Sequence, residues 1–228
     1  MSVLVAIEAS TGTGSVAIGR GGELIGEVVI GMHTRHAQAL LPALDFLLRT
    51  AAVGRADIGG IVVGAGPGSF TGVRIAAATA RGLALGLGVP FYAWSSLAAL
   101  ALDAAAADVP VCALLDARRG EVYAACYRRT GAGDRLTSLI EPAAMPVREL
   151  VDAVAHLQAG HVVYAGDGAR RYAAELGHAP AATVIYPRAS ALLRLAAAEP
   201  ARGRIDSPAG WEPSYLRASG AERMGSEP

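Results

Sequence analysis

The chain opens on a rhythm of short apolar runs broken by small and polar residues. Val3–Ile7, Ser15–Ile18 and Leu24–Ile30 are separated by a Ser/Thr/Gly stretch and by Gly21-Gly22, which predicts an antiparallel meander of strands. The period then lengthens. From about Arg35 to Arg49, residues Ala37, Leu40, Leu41, Leu44, Leu47 and Leu48 form one broad stripe at helical spacing, with Pro42 expected to kink it. A β-branched run, Ile61–Val63, leads into a glycine-rich segment and then an alanine-rich helix reaching about Leu85. A strand near Phe91–Trp94 and a helix from Ser95 follow. Residues 82–102 carry no charge and are long enough to suggest a membrane span. Gly86, Gly88 and Pro90 break that stretch where a helix would end and a strand begin, so two separate elements and no membrane association are expected.

The second half repeats the plan of the first. Val111–Leu115 reads as a strand ending at Asp116, then Arg118-Arg119-Gly120 turns the chain into a strand at Glu121–Tyr127. Val3–Ile7, followed by Glu8-Ala9-Ser10-Thr11 and the strand from Ser15, has the same order of strand, acidic residue, turn and strand about one hundred residues earlier. Further helices are expected at Pro146–His156, Arg170–Leu176 and Ala189–Ala198, with a strand at His161–Ala165. From Pro200 the composition turns to Pro, Gly and Ser, the mark of a loose tail.

With 228 residues, 53% of them hydrophobic, and a mean hydropathy of +0.37, the chain has enough apolar surface for a real core. The formal net charge of zero argues against a free-standing nucleic-acid binder. The chain has no lysine, so Schiff-base chemistry and lysine-cradled phosphates are excluded. Cys112 and Cys126 sit among apolar neighbours without metal or redox spacing and are expected as buried reduced thiols of a cytoplasmic protein. No charged region precedes an early apolar stretch, so no signal peptide is expected.

Residues 64–74, Gly-Ala-Gly-Pro-Gly-Ser-Phe-Thr-Gly-Val-Arg, are the most informative segment. Glycines let backbone amides converge, Pro67 stiffens the turn, and Ser69 or Thr71 is placed to cap the helix that follows. A P-loop would need a Gly-Lys-Ser/Thr end, and a dinucleotide fingerprint would need glycine where Ser69 stands. A nucleophile elbow would need glycine at Pro67. On the outgoing helix, Arg74, Ala78, Arg81 and Leu85 fall at i, i+4, i+7 and i+11 beside Ala76, Ala77, Ala80 and Ala84. That small-residue, sparsely charged face suits packing on a partner, with arginines at its edge to clamp carboxylates.

Gly66-Pro67-Gly68-Ser69-Phe70-Thr71-Gly72-Val73-Arg74 resembles the signature of the TsaB (YeaZ) family, subunits of the bacterial machinery that makes threonylcarbamoyladenosine in tRNA. The resemblance spans nearly the whole chain. It implies an α/β, two-lobed fold of the actin/Hsp70/sugar-kinase (ASKHA) kind, with duplicated mixed-sheet lobes. The expected division is a first lobe over 1–105 joined by the returning segment 200–217, a second lobe over 106–199, and a disordered tail over 218–228. Pro213-Ser214-Tyr215-Leu216-Arg217 resembles a family element near the C-terminus, with Tyr215 expected to pack on the first lobe.

The same resemblance implies function. The chain is expected to be a non-catalytic subunit that binds a TsaD-like transferase through the helices at about 35–49 and 71–86, using His36, Leu40, Arg74, Ala78, Arg81 and Leu85. A homodimer through the same face is expected when that partner is absent. A TsaE-like ATPase completes the assembly, tRNA is met indirectly, and ATP enters at the level of the complex. Glu8, with Ser10 and Thr11, stands where superfamily members place a phosphate loop usually opened by aspartate. Asp116 and Arg119 hold the equivalent turn of the second lobe. Gly166-Asp167-Gly168 resembles the adenosine-side turn, so Ser10, Thr11, Gly166, Asp167 and Gly168 are the candidate cofactor residues. The metal-binding His-x-x-x-His of TsaD falls here on or near Ser96 and Leu100, which implies no metal site. His33 and His36 lie three apart without a third ligand, and His156, His161 and His178 are isolated. No catalytic set can be assembled. An autonomous nucleotide-dependent phosphotransferase or ATPase is the alternative, and a glycoprotease would need a metal or nucleophile that the chain does not offer.

Overall fold

A computed structural model describes residues 2–31, 36–106, 108–131, 133–177 and 186–216. Its strands form two mixed sheets built to one plan. In the first, β1 (Val3–Glu8) pairs antiparallel with β2 (Thr13–Arg20), and β2 with β3 (Glu23–Gly31). On the other side of β1 lie β4 (Ile58–Gly64) and then β5 (Phe91–Trp94), both parallel to it, giving the order β3-β2-β1-β4-β5. In the second sheet, β6 (Val111–Arg118), β7 (Glu121–Thr130) and β8 (Arg135–Pro146) repeat the antiparallel meander. There β9 (Val163–Ala165) lies parallel to β6, giving β8-β7-β6-β9. The duplicated strand–turn–strand pattern is therefore a duplicated sheet, with β6 in the place of β1.

Alternation along the strands decides the layers. Val3, Val5 and Ile7, with Val16, Ile18, Ile61 and Val63, bury one face of the first sheet against α1 (His36–Thr50) and α2 (Phe70–Leu87). Ala6, Ala17 and Val62 point the opposite way, onto α3 (Ser96–Ala104) and α6 (Ala189–Ala198). Those helices also cover Val111, Ala113 and Leu115 of β6, so they form the middle layer between the sheets. The far face of the second sheet, with Leu114, Val122 and Ala124, packs on α4 (Val147–His156) and on Ala169 of α5 (Asp167–Arg171). Central strands covered on both faces read as near-continuous apolar runs, which is how β1, β4 and β6 read.

The ends of α2 follow from local chemistry. Ser69 caps it by accepting the Gly72 amide at 3.3 Å, while Thr71 is exposed inside the helix. Gly88 closes it at φ 66°, a left-handed position that suits glycine, and its amide returns to the carbonyls of Ala84 and Leu85. The uncharged stretch thus splits into the end of α2, β5 and α3, and among the described residues no helix is long and apolar enough to cross a membrane. Helix α1 runs uninterrupted through Pro42.

Several expectations need correction. Cys112 and Cys126 are not separate thiols: they face each other in register across β6 and β7, fully buried, and are joined in a disulfide. Their proximity is set by the hairpin register, which sequence spacing alone does not reveal. The helix expected at Arg170–Leu176 begins earlier, at Asp167, and gives way to turns after Arg171, because Gly166 and Gly168 press against Leu114 and start it there. The tail from Pro200 is not loose over its described part. It adds β10 (Arg204–Ile205) antiparallel to β5, then runs as a strap to Leu216. Helix α6, placed with the second lobe, is capped from the first sheet: Ser15 Oγ accepts the Ala189 amide at 2.7 Å, and Glu27 accepts the amide and hydroxyl of Ser190 at 3.0 and 2.8 Å. Strand β8 had no counterpart among the expected elements.

Candidate functional site

The glycine segment is a hub at which the chain packs on itself. The Ser69 amide donates to the Ser10 carbonyl at 2.6 Å, and the Ser96 amide to the Gly66 carbonyl at 2.8 Å. The Ala65 amide donates to Trp94, and the Ala65 carbonyl accepts the Ser214 amide at 3.0 Å. The Gly66–Pro67 peptide is cis. A Cβ at Gly68 would collide with the Ser10 carbonyl, and one at Gly72 with the Ala9 carbonyl. These glycines therefore admit the chain's own β1–β2 turn.

Glu8 lies at the centre of this hub, fully buried. Its carboxylate accepts the Ser10 amide at 2.6 Å and the Ser96 hydroxyl at 2.8 Å, and a Cβ at Gly64 would strike it. Burial pushes its pKa above the ordinary carboxylate range against those hydrogen bonds. The extra methylene relative to aspartate carries the carboxylate inward, onto Gly64 and the start of α3. Ser96 spends its hydroxyl on Glu8, and Leu100 is buried in the core.

A cleft of about 310 Å³ opens beside the hub, lined among others by Ser10, Thr11, Ser69, Asp116, Arg118 and Asp167. Of the candidate cofactor residues, Ser10, Thr11 and Asp167 meet there. Gly166 and Gly168 instead lie beneath, where a Cβ at Gly166 would strike the Leu114 carbonyl. The Thr11 hydroxyl is spent inside its own turn, donating to the Thr13 carbonyl at 2.9 Å, and the buried Ser10 hydroxyl lies against the Glu8 carboxylate. Asp167 accepts the Asp116 amide at 3.0 Å, and its pKa is raised, chiefly by burial. Asp116 accepts the Arg118 amide and the Tyr172 hydroxyl. Arg118, rather than Arg119, lines the cleft.

The third feature is the outer face of α1 and α2. Leu40, expected at a partner surface, is only 1% exposed and belongs to the core. One residue on, the helix turns outward, and Leu41 and Phe46 are the exposed apolar groups. On α2, Ala78, Gly82 and Leu85 are exposed. Arg74 and Arg81, expected to clamp a partner's carboxylates, both hold the strap. Arg81 donates from Nη1 to the carbonyls of Ala209 and Trp211, and Arg74 from Nε to the Tyr215 hydroxyl at 3.1 Å. Tyr215 thus does pack back on the first sheet's helices, and Trp211 meets Phe91 edge-on at 5.1 Å. The aromatic residues of the Pro-rich tail were the signal for this strap. His36 opens α1, but its side chain lies outside the described residues, as do His33, His178, Arg217 and residues 218–228. Among the described residues no three His, Cys, Asp or Glu side chains gather into a metal set.

Two sheets of one topology around a shared helical layer, with a glycine hub at the start of α2, define a duplicated α/β protein. A family model described as TsaD, tRNA N6-adenosine threonylcarbamoyltransferase, matches residues 31–222. The tRNA threonylcarbamoyladenosine biosynthesis protein TsaB of Escherichia coli (strain K12) is 33% identical over 225 residues, 94% of each chain. The protein of that name from Bacillus subtilis (strain 168) is 37% identical over 125 residues, an alignment spanning 55% of either chain. YeaZ from Pseudomonas aeruginosa superposes with a TM-score of 0.82 at 33% identity, covering 95% of this chain and all of that one. The chain belongs to the TsaB family.

Proposed function

We propose that this protein is a non-catalytic docking subunit in the biosynthesis of tRNA threonylcarbamoyladenosine, cytoplasmic, and partnered with a TsaD-like threonylcarbamoyltransferase through the outer face of α1 and α2. The observation that carries this reading is the filled hub. Gly68 and Gly72 are occupied by the carbonyls of Ser10 and Ala9, Gly166 by that of Leu114, and the Glu8 carboxylate by Ser10 and Ser96. Turns that would cradle a nucleotide are packed by the protein itself. Leu41 and Phe46 on α1 and Phe70 and Leu85 on α2 are apolar groups left exposed on the two early helices, beside Leu24, Ile25 and Val29 on the edge strand β3. A TsaE-like ATPase joins through the complex, tRNA is met indirectly, and the chain pairs with itself when the transferase is absent. Co-purification with the cognate transferase tests this: Phe46→Glu with Leu41→Glu should abolish association, and retention of the complex would refute the assignment.

One observation favours a second reading, a nucleotide-dependent phosphotransferase or ATPase. The cleft does bring Ser10, Thr11, Asp116 and Asp167 together. Calorimetry with ATP and magnesium separates the two: binding and turnover by the lone chain would favour the enzyme.

A further inference from the structure

The strap changes what a partner meets on α2. From β10 at the sheet edge it runs to the start of α2, held by Arg81 on the carbonyls of Ala209 and Trp211, and by the Ser214 amide on Ala65. It delivers Tyr215 beside Phe70, with ring centroids 5.4 Å apart. The Arg74 guanidinium lies 3.7 Å above the Phe70 ring and 5.4 Å from the Tyr215 ring, with Nε donating to the Tyr215 hydroxyl. Phe70 and Tyr215 remain 37% and 38% exposed, so this cluster is a surface feature and not a core contact.

We propose that the strap is part of the docking surface, and that Arg74, held by Phe70 and Tyr215, is the anchor there for a carboxylate of the partner subunit. This rests on the docking function above and adds its specificity residue. Among the described residues no carboxylate lies within ion-pair reach of Arg74, and its Nη groups have no hydrogen-bond partner. Aromatic contact and the Nε hydrogen bond fix the guanidinium plane before binding, which lowers the ordering cost and presents the remaining fork in the geometry that a carboxylate takes bidentately. An anchor of arginine framed by aromatic rings has the composition of an interface hot spot. Arg81 is excluded from that role because its donors hold the strap, so it acts as a positioning residue for Tyr215. A tRNA phosphate is the less fitting anion, since a lone arginine on a chain of zero net charge is not a nucleic-acid footprint.

The test is the affinity of the full chain for the cognate transferase subunit, with thermal melting to verify folding. Arg74→Gln and Tyr215→Ala should each weaken association about tenfold, and Arg74→Lys, which keeps charge but loses the fork, nearly as much. Tyr215→Phe, which removes only the hydroxyl, should weaken it about threefold and guards against a strap that detaches. If these variants stay within about twofold of the parent while Phe46→Glu abolishes association, the anchor is wrong and helix docking stands. If Phe46→Glu also binds normally, docking through α1 and α2 falls as well. Loss of tRNA affinity with unchanged subunit association would overturn the carboxylate assignment.

Discussion

The Ser69 amide reaches the Ser10 carbonyl at 2.6 Å, joining the start of α2 to the β1–β2 turn across a gap that only Gly68 leaves open. A side chain at Gly68 or Gly72 would have to displace backbone, which a close-packed interior resists. Gly68→Ala and Gly72→Ala should each lower stability by about 2–4 kcal/mol in urea unfolding. Changes below about 0.5 kcal/mol would show that the turns yield freely and that the hub is not rigid.

Glycines on the outer face of α2 should behave in the opposite way. A Cβ at Gly82 meets nothing within 4 Å. Gly82→Ala should therefore stabilise the isolated chain by about 0.5–1 kcal/mol, the usual gain in a helix interior. Gly82→Leu should fold equally well yet weaken association with the transferase, because close helix approach needs the small residue. Unchanged affinity for Gly82→Leu would remove this face from the interface.

Buried Glu8 carries a pH signature. Its folded pKa is raised, chiefly by burial, so its contribution to stability is full below the unfolded value and is lost as pH rises through the folded one. Glu8→Gln keeps an acceptor for the Ser10 amide, and the Ser96 hydroxyl can turn to accept from the new amide. That variant should match or exceed the parent in stability at pH 7 to 8, with the difference closing towards about pH 4. Glu8→Ala, which strands both donors, should lose about 1–3 kcal/mol at every pH. A Gln variant that is less stable only at neutral pH would mean the charge itself is favoured there.

Arg194 ties the middle layer to the second sheet. It meets Asp134 through two hydrogen bonds of 2.8 and 2.9 Å, and Asp103 of α3 at 3.2 Å, while Arg188 holds the other oxygen of Asp103. The Asp103 side chain is 6% exposed, so losing one cation leaves a costly buried carboxylate. Arg194→Met should cost about 2–3 kcal/mol at pH 7. The hydrogen bond from Arg194 holds the Asp134 pKa below the usual range, so that part of the stability is present above the unfolded value and fades as pH falls. Parent and variant should accordingly converge in acid; a constant gap down to pH 3 would contradict the pairing.

Much of the architecture was legible because it is periodic. Strands β1, β4 and β6 and the stripes on α1 and α2 follow from spacing alone, and the repeated strand–acidic–turn–strand order foretold the second sheet. What escaped depends on partners distant in sequence. Leu40 and Leu41 belong to one apolar stripe, and only the seating of α1 on the sheet sends the first inward and the second out. Arg81 reads as a free cation because its acceptors, the carbonyls of Ala209 and Trp211, lie some 130 residues away, and the contact of Arg74 Nε with the Tyr215 hydroxyl is as distant in sequence. Strand β8 is half-exposed and interrupted by Pro142, so its pattern is weak. The glycine segment announced close approach correctly, but not that the approaching group would be the chain's own backbone.

The measurement closest to the central claim is threonylcarbamoyl transfer to tRNA by the cognate transferase, assayed with this chain, without it, and with this chain alone. A docking subunit predicts transfer that depends on its presence, none from the isolated chain, and loss on Phe46→Glu. Transfer indifferent to this chain, or turnover of ATP or a carbamoyl donor by this chain unaided, would contradict the account.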